Sequence, residues 1–262
     1  MQGVAVAWPM SCVGVTLNRR GLAAPAPDVE DLGPLLRTHL PWALATWSSA
    51  TCEGGAPSVR FVDAGEADVP AGLAFDGRNT VSVNRSWTPD AFHLPGTIAI
   101  TVVTTDHPSA MLLDADIEFD VKDAQNVLGR EFGDGAPVWG VADAPTVLLH
   151  ELGHLAGFDH SRVATAVMAS GGGDVERQRR ALTSDDVAGL CDAYPPSLGP
   201  QPSAACAPQP AIAPVVRLGG GGCSLSPSGA WSAPTVALVF LTEAWRASRR
   251  ARGRSVNDNA NV

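Results

Sequence analysis

The sequence predicts an α+β fold, and three observations carry that expectation. Short runs rich in β-branched residues, such as Cys12 to Asn18 and Thr97 to Thr105, read as strands. Between two of these runs lies a long stretch with apolar residues at helical spacing. A second helix-like stretch further on carries histidines and a glutamate in a fixed pattern.

Taken in order, Cys12 to Asn18 alternates and opens the fold as a strand. Asp28 is placed to cap the helix that follows. In that helix Val29, Leu32, Leu35, Leu36, Leu40, Ala43, Leu44 and Trp47 recur at helical spacing. Pro41 falls inside the run, where its missing N–H predicts a kink. Ser58 to Asp63 reads as a second strand and residues 63–72 as an acidic loop. Thr80 to Asn84 is a third strand and Thr97 to Thr105 a fourth. Asp106-His107-Pro108-Ser109 is turn chemistry, and Met111 to Val121 runs back from it. Alternation puts Ala115, Ile117, Phe119 and Val121 on one face, with Asp114, Asp116, Glu118 and Asp120 on the other. Asp123 to Asp143, dotted with glycine, reads as a loop. Asp143 is placed to cap the next helix, with Pro145 in its first turn. Thr183 caps a last helix, Asp186 completes a capping box there, and Pro195-Pro196 stops it.

The stretch from His150 to His160 reads H-E-x-x-H-x-x-G-x-x-H. His150 and His154 are four residues apart and share a helix face, with Cβ atoms about 5–6 Å apart. Two neutral imidazoles so placed can share one Zn²⁺ at about 2.0–2.1 Å each. Glu151 points off that face toward the open side of the metal, where it can take a proton from water. Gly157 lets the chain leave the helix in a conformation a Cβ would resist, which brings His160 back as third ligand. Three protein ligands and one open position suit a catalytic zinc rather than a structural one. The chain's own residue frequencies make a chance match roughly one in 100,000. A helix with incidental histidines does not account for the third one.

With Thr165-Ala166-Val167-Met168-Ala169-Ser170 close behind, the stretch resembles the zinc motif and Met-turn of the metzincin proteases. Ser161 after the third histidine, and the helix from Leu182 to Leu190, resemble the matrixin branch. The resemblance runs from about Trp8 to Pro196. It implies a zincin-like fold: a twisted, mostly parallel sheet with an antiparallel edge strand, a long first helix, an active-site helix and a small C-terminal subdomain. It implies that Met168 lies beneath the metal as a hydrophobic floor. It also implies a zinc-dependent endopeptidase that hydrolyses peptide bonds of extracellular proteins. In that reading His150, His154 and His160 hold one zinc, and Glu151 is the general base. One of the last strands would pair with the backbone of the protein or peptide substrate. Two rivals share the metal: a non-proteolytic surface binding protein, which has no use for Glu151, and a hydrolase of non-peptide amides. The matrixin prodomain motif P-R-C-G-x-P-D is absent. Many matrixins carry structural calcium, and the row from Asp114 to Asp120 offers carboxylate oxygens for Ca²⁺. No calcium-loop spacing is present, and a solvated strand face is the simpler reading.

A chain of 262 residues can bury one sizeable core and still carry appendages. A monomer is expected. The net charge of −9 argues against a nucleic-acid target, since phosphate neutralisation needs clustered Lys and Arg. No two of the five cysteines form C-x-x-C, which argues against a thiolate zinc site. We expect Cys12 to pair with Cys52, and Cys191 with Cys206. Disulfides imply a secreted or cell-surface protein. Met1 to Leu17 has no positive n-region and is interrupted by Pro9, so no signal peptide is visible. Residues 1–7 read as the remnant of a leader that starts upstream. Residues 8–196 form the protease domain, and 197–222 a Pro/Gly-rich linker. Residues 223–262 resemble the tripartite C-terminal sorting signals of myxobacterial surface proteins. The elements are a Gly run, Cys223 as the processing site, the uncharged run from Leu225 to Thr242, and arginines from Arg246 to Arg254. Such a tail implies membrane or cell-surface attachment. Its apolar part, Trp231 to Leu241, is short against the about 20 residues of a spanning helix. An amphipathic C-terminal helix is the alternative.

Overall fold

The computed structural model describes residues 6–22, 32–70, 73–85, 97–106, 109–121, 131–135, 141–170, 179–198 and 237–242. Its strands are β1 (Cys12–Asn18), β2 (Arg60–Ala67), β3 (Asn79–Asn84), β4 (Ala99–Asp106), β5 (Met111–Asp120), β6 (Glu131–Gly133), β7 (Val141–Asp143) and β8 (Ala237–Thr242). The helices are α1 (Gly33–Ser48), α2 (Ala144–Leu155) and α3 (Ser184–Ala193). The main sheet runs β2-β1-β3-β5-β4-β8. Strands β2, β1, β3 and β5 are parallel neighbours, and β4 returns antiparallel to β5. This is the expected mostly parallel sheet with an antiparallel edge strand. Beyond that edge lies β8, antiparallel to β4, with Ile100 opposite Thr242 and Thr105 opposite Ala237. One apolar cluster joins Val13 and Val15 of β1, Leu36, Leu40, Leu44 and Trp47 of α1, Ile117 and Phe119 of β5, and Leu148 and Leu149 of α2.

Several elements differ from the sequence-based expectation. Helix α1 begins only at Gly33, and its N-cap, Leu32, makes no side-chain capping bond. Asp28 lies outside the described residues. The helix continues through Pro41, because burial of one face outweighs a single lost backbone bond. Strand β2 runs on to Ala67, into the stretch that reads as a loop. It does so by a bulge, since the register with β1 shifts between Val15 and Leu17. Gly65 supplies the left-handed backbone there, with φ +81°. Within Asp123 to Asp143 the short strands β6 and β7 pair in parallel. At three residues each they are too short for periodicity to show.

The acidic row is not solvated. Asp114, Asp116, Glu118 and Asp120 are all 5% exposed or less. Partners from β3 and the preceding segment cover it. Asp116 accepts from Ala74 N at 2.9 Å and from Thr80 N and Oγ1 at 3.0 and 2.5 Å. Glu118 accepts from Asn84 Nδ2 at 3.2 Å. Burial pushes Asp116 up to about 6, against the pull of Thr80. Burial, reinforced by the charge of Asp116, pushes Asp114 up to about 8. Among the described residues these carboxylates do not assemble a three-donor cation site, so nothing supports the Ca²⁺ expectation.

The disulfide pairing is also corrected. Cys52 bonds to Cys191, with Cα atoms 5.6 Å apart, so neither expected pair forms. The turn after α1 folds against the end of α3, where Ser58 N donates to Tyr194 O at 2.9 Å. A separation of 139 residues hid this closeness from the sequence. Cys12 is disulfide-bonded as well, while Cys206 and Cys223 lie outside the described residues. So do residues 1–5, the linker from residue 199 onward, and the proposed sorting segment apart from β8. No helix among the described residues is long and apolar enough to cross a membrane.

Candidate metal centre

Helix α2 carries the site, and its start is fixed by its cap. Asp143 accepts from Thr146 N at 3.2 Å and from Thr146 Oγ1 at 2.6 Å. The same carboxylate pairs with the Arg180 guanidinium. Every residue of the helix is buried, including His150, Glu151 and His154. The helix ends at Gly157, whose φ of +97° is open to few residues besides glycine. Gly157 N donates to His154 O at 2.8 Å and Phe158 N to Gly153 O at 3.0 Å. This turn swings His160 back over the helix, as expected.

The three imidazoles then face one another, with ring centroids 4.6, 4.8 and 5.3 Å apart. One ring nitrogen from each lies within 4.8 Å of the others. His150 Nδ1 sits 2.7 Å from Val167 O, and His154 Nδ1 sits 2.7 Å from Phe158 O. A carbonyl only accepts, so both Nδ1 atoms carry the proton and both Nε2 atoms keep the lone pair. The Nε2 atoms of His150, His154 and His160 are buried, and none of them is engaged in a hydrogen bond. Buried ring nitrogens converging in this way, two of them with their lone pairs turned to the shared space, are suited to a cation. Imidazole ligands in this number suit zinc.

Support comes from four places the motif does not reveal. Asp186, read from sequence as a cap for α3, does cap it, and its carboxylate also accepts from Val167 N at 3.0 Å and Met168 N at 3.1 Å. The carbonyl that orients His150 is therefore held by α3. Gly153, a free position in the motif, lies directly over Met168: a Cβ there would sit 2.1 Å from the Met168 Sδ. Thr101 of β4 donates its hydroxyl to Glu151 Oε2 at 2.5 Å. The end of α2 is closed by Tyr194, whose hydroxyl donates to Ala156 O at 2.7 Å and accepts from Trp8 N at 3.1 Å. Trp8 Nε1 donates to Leu155 O at 2.8 Å. The only sequence signal for Tyr194 was packing. Thr101 gave none, because its partner lies 50 residues on.

The sequence model of the matrixin family of M10 peptidases matches residues 37–195, more than half of the chain. No curated protein matches the sequence.

Proposed function

Because the chain belongs to the matrixin family of zinc metalloproteases, we propose that it is an endopeptidase acting on extended segments of extracellular proteins. The observation that carries this reading is the convergence of the buried Nε2 atoms of His150, His154 and His160. His150, His154 and His160 would hold one zinc. Zinc bound there supplies Lewis acidity, polarising a scissile carbonyl and lowering the pKa of a water toward about 7. Glu151 is the general base: it accepts the attacking water's proton and passes it to the leaving amine. No protein nucleophile is needed. Ser161 has a different task, donating to Asp185 at 2.5 Å.

The substrate backbone would add as a strand along the outer edge of β4. What supports this is that the edge accepts an antiparallel strand from the chain itself, β8. A bound peptide would replace β8. The disulfide between Cys52 and Cys191 supports an oxidising, extracytoplasmic location.

The test is zinc content and cleavage of denatured casein by the full chain, with and without a chelator. We expect one zinc, cleavage that the chelator stops, and in Glu151→Gln retained zinc with turnover lowered by roughly 10²–10⁴-fold. Chelator-insensitive cleavage, or undiminished turnover in Glu151→Gln, would overturn the reading.

A further inference from the structure

We propose that Thr101 is the positioning residue of the general base: its hydroxyl holds the Glu151 carboxylate in the orientation that proton transfer needs. The inference rests on the endopeptidase reading above. Alternate residues of a strand share a face, and Ala99, Thr101 and Val103 form such a row on β4, each 2% exposed or less. Thr101 is the polar member of this apolar row. Valine would fill the same space, and a buried hydroxyl is costly unless it is bonded. Here it is bonded to the residue whose orientation matters most.

The hydroxyl has one hydrogen and two acceptors within reach. Glu151 Oε2 lies at 2.5 Å and the Glu151 backbone oxygen at 3.2 Å. The nearer acceptor, the carboxylate oxygen, takes the hydrogen, since hydrogen bonds weaken with distance. A glutamate side chain has several rotamers to choose from. The bond from Thr101 ties one carboxylate oxygen to the sheet. Thr101 itself is fixed between Ile117 of β5 and Leu241 of β8. The strand that would carry the peptide therefore also sets the base, so both reactants take their position from one backbone. Misplacement by about 1 Å can cost on the order of 10²-fold in rate.

The test uses the full chain and a quenched peptide spanning its mapped casein cleavage site. Thr101→Val removes the donor and keeps the shape, while Thr101→Ser restores the donor. We expect Thr101→Val to retain its zinc, to lower kcat about 10–100-fold, and to leave KM within about twofold. Thr101→Ser should recover kcat to within about threefold of wild type. In a Glu151→Gln background, Thr101→Val should add no further loss. A readout free of metal and activity completes the set. Thr101→Val should lower the thermal midpoint of the metal-free chain by roughly 2–4 °C, and by less when Glu151 is replaced by alanine. Wild-type kcat in Thr101→Val, a Thr101→Ser variant as slow as the valine one, or a loss that persists in Glu151→Gln would each overturn the proposal. Full turnover in Glu151→Gln alone would instead overturn the endopeptidase reading, and the proposal with it.

Discussion

Replacing Gly153 with alanine sets two effects of opposite sign against each other, and the packing beneath α2 decides between them. In a helix interior, alanine is favoured over glycine by about 1 kcal/mol. Against this, the new Cβ would lie 2.1 Å from Met168 Sδ, 3.1 Å from its Cε and 2.8 Å from Trp47 Cζ2. Trp47 is fully buried, and its Nε1 is bonded to Leu149 O at 2.9 Å, so the indole is held in place. Met168 must then withdraw by roughly 1.5 Å to reach ordinary contact. Overpacking of this kind costs about 1–3 kcal/mol. With one of the two obstacles fixed, the upper part of that range applies, leaving a net destabilisation of about 1–2 kcal/mol. The shift also disturbs the turn whose Val167 carbonyl orients His150, so zinc affinity should fall about tenfold. Urea unfolding of the metal-free chain and zinc competition with a chromophoric chelator measure the two losses. In a Met168→Ala background the cost of Gly153→Ala should shrink, because the sulfur it strikes is gone. A Gly153→Ala chain as stable as wild type, with unaltered zinc affinity, would show that helix preference prevails and that this packing is loose.

Three further outcomes follow from the fold. Asp114 has a folded pKa near 8 against 3.8 for the free side chain, so between those values the folded chain holds a proton the unfolded chain has lost. Its contribution is fully present below about pH 4 and disappears as pH rises through 8. Urea midpoints of the metal-free wild type should therefore fall from pH 5 to 9, and those of Asp114→Asn should fall less; parallel curves would contradict the burial argument. Replacing Cys52 and Cys191 by alanine opens a bridge spanning 139 residues and should cost about 2–5 kcal/mol in thermal unfolding. An unchanged midpoint would mean the turn after α1 and the end of α3 are held by packing alone. A chain ending at Gly222 vacates the outer edge of β4 and should cleave the casein peptide severalfold faster than the full chain. Equal rates would mean β8 leaves that edge at no cost.

What could be read from the sequence was local. The spacing of His150, His154, Gly157 and His160 encodes a helix face and a turn, and both formed as read. The caps at Asp143 and Thr183 lie within three residues of the N–H groups they satisfy, and both formed too. Features that depend on distant segments could not be read. The alternation of β5 assigns its acidic residues to one face correctly but does not say what covers that face. Cys52 meets Cys191 because α3 packs beside the turn after α1, which no cysteine count reveals. Gly153 is a blank in the motif because its constraint comes from Met168 and Trp47, which belong to other elements.

The lock at the end of α2 has a consequence for how the enzyme is made. Trp8 cannot reach its place until Leu155 exists to accept its indole N–H and Tyr194 to accept its backbone N–H, contacts 147 and 186 residues away. A ribosome adding about 5–20 residues per second needs on the order of 10–40 s to span that distance. Throughout that interval the histidine helix is either unmade or unfinished at its C-terminal end. Asp186, which secures the Val167 carbonyl behind His150, emerges only shortly before Tyr194. The order of synthesis thus keeps the nascent chain from finishing its metal cage until nearly the whole domain has been translated.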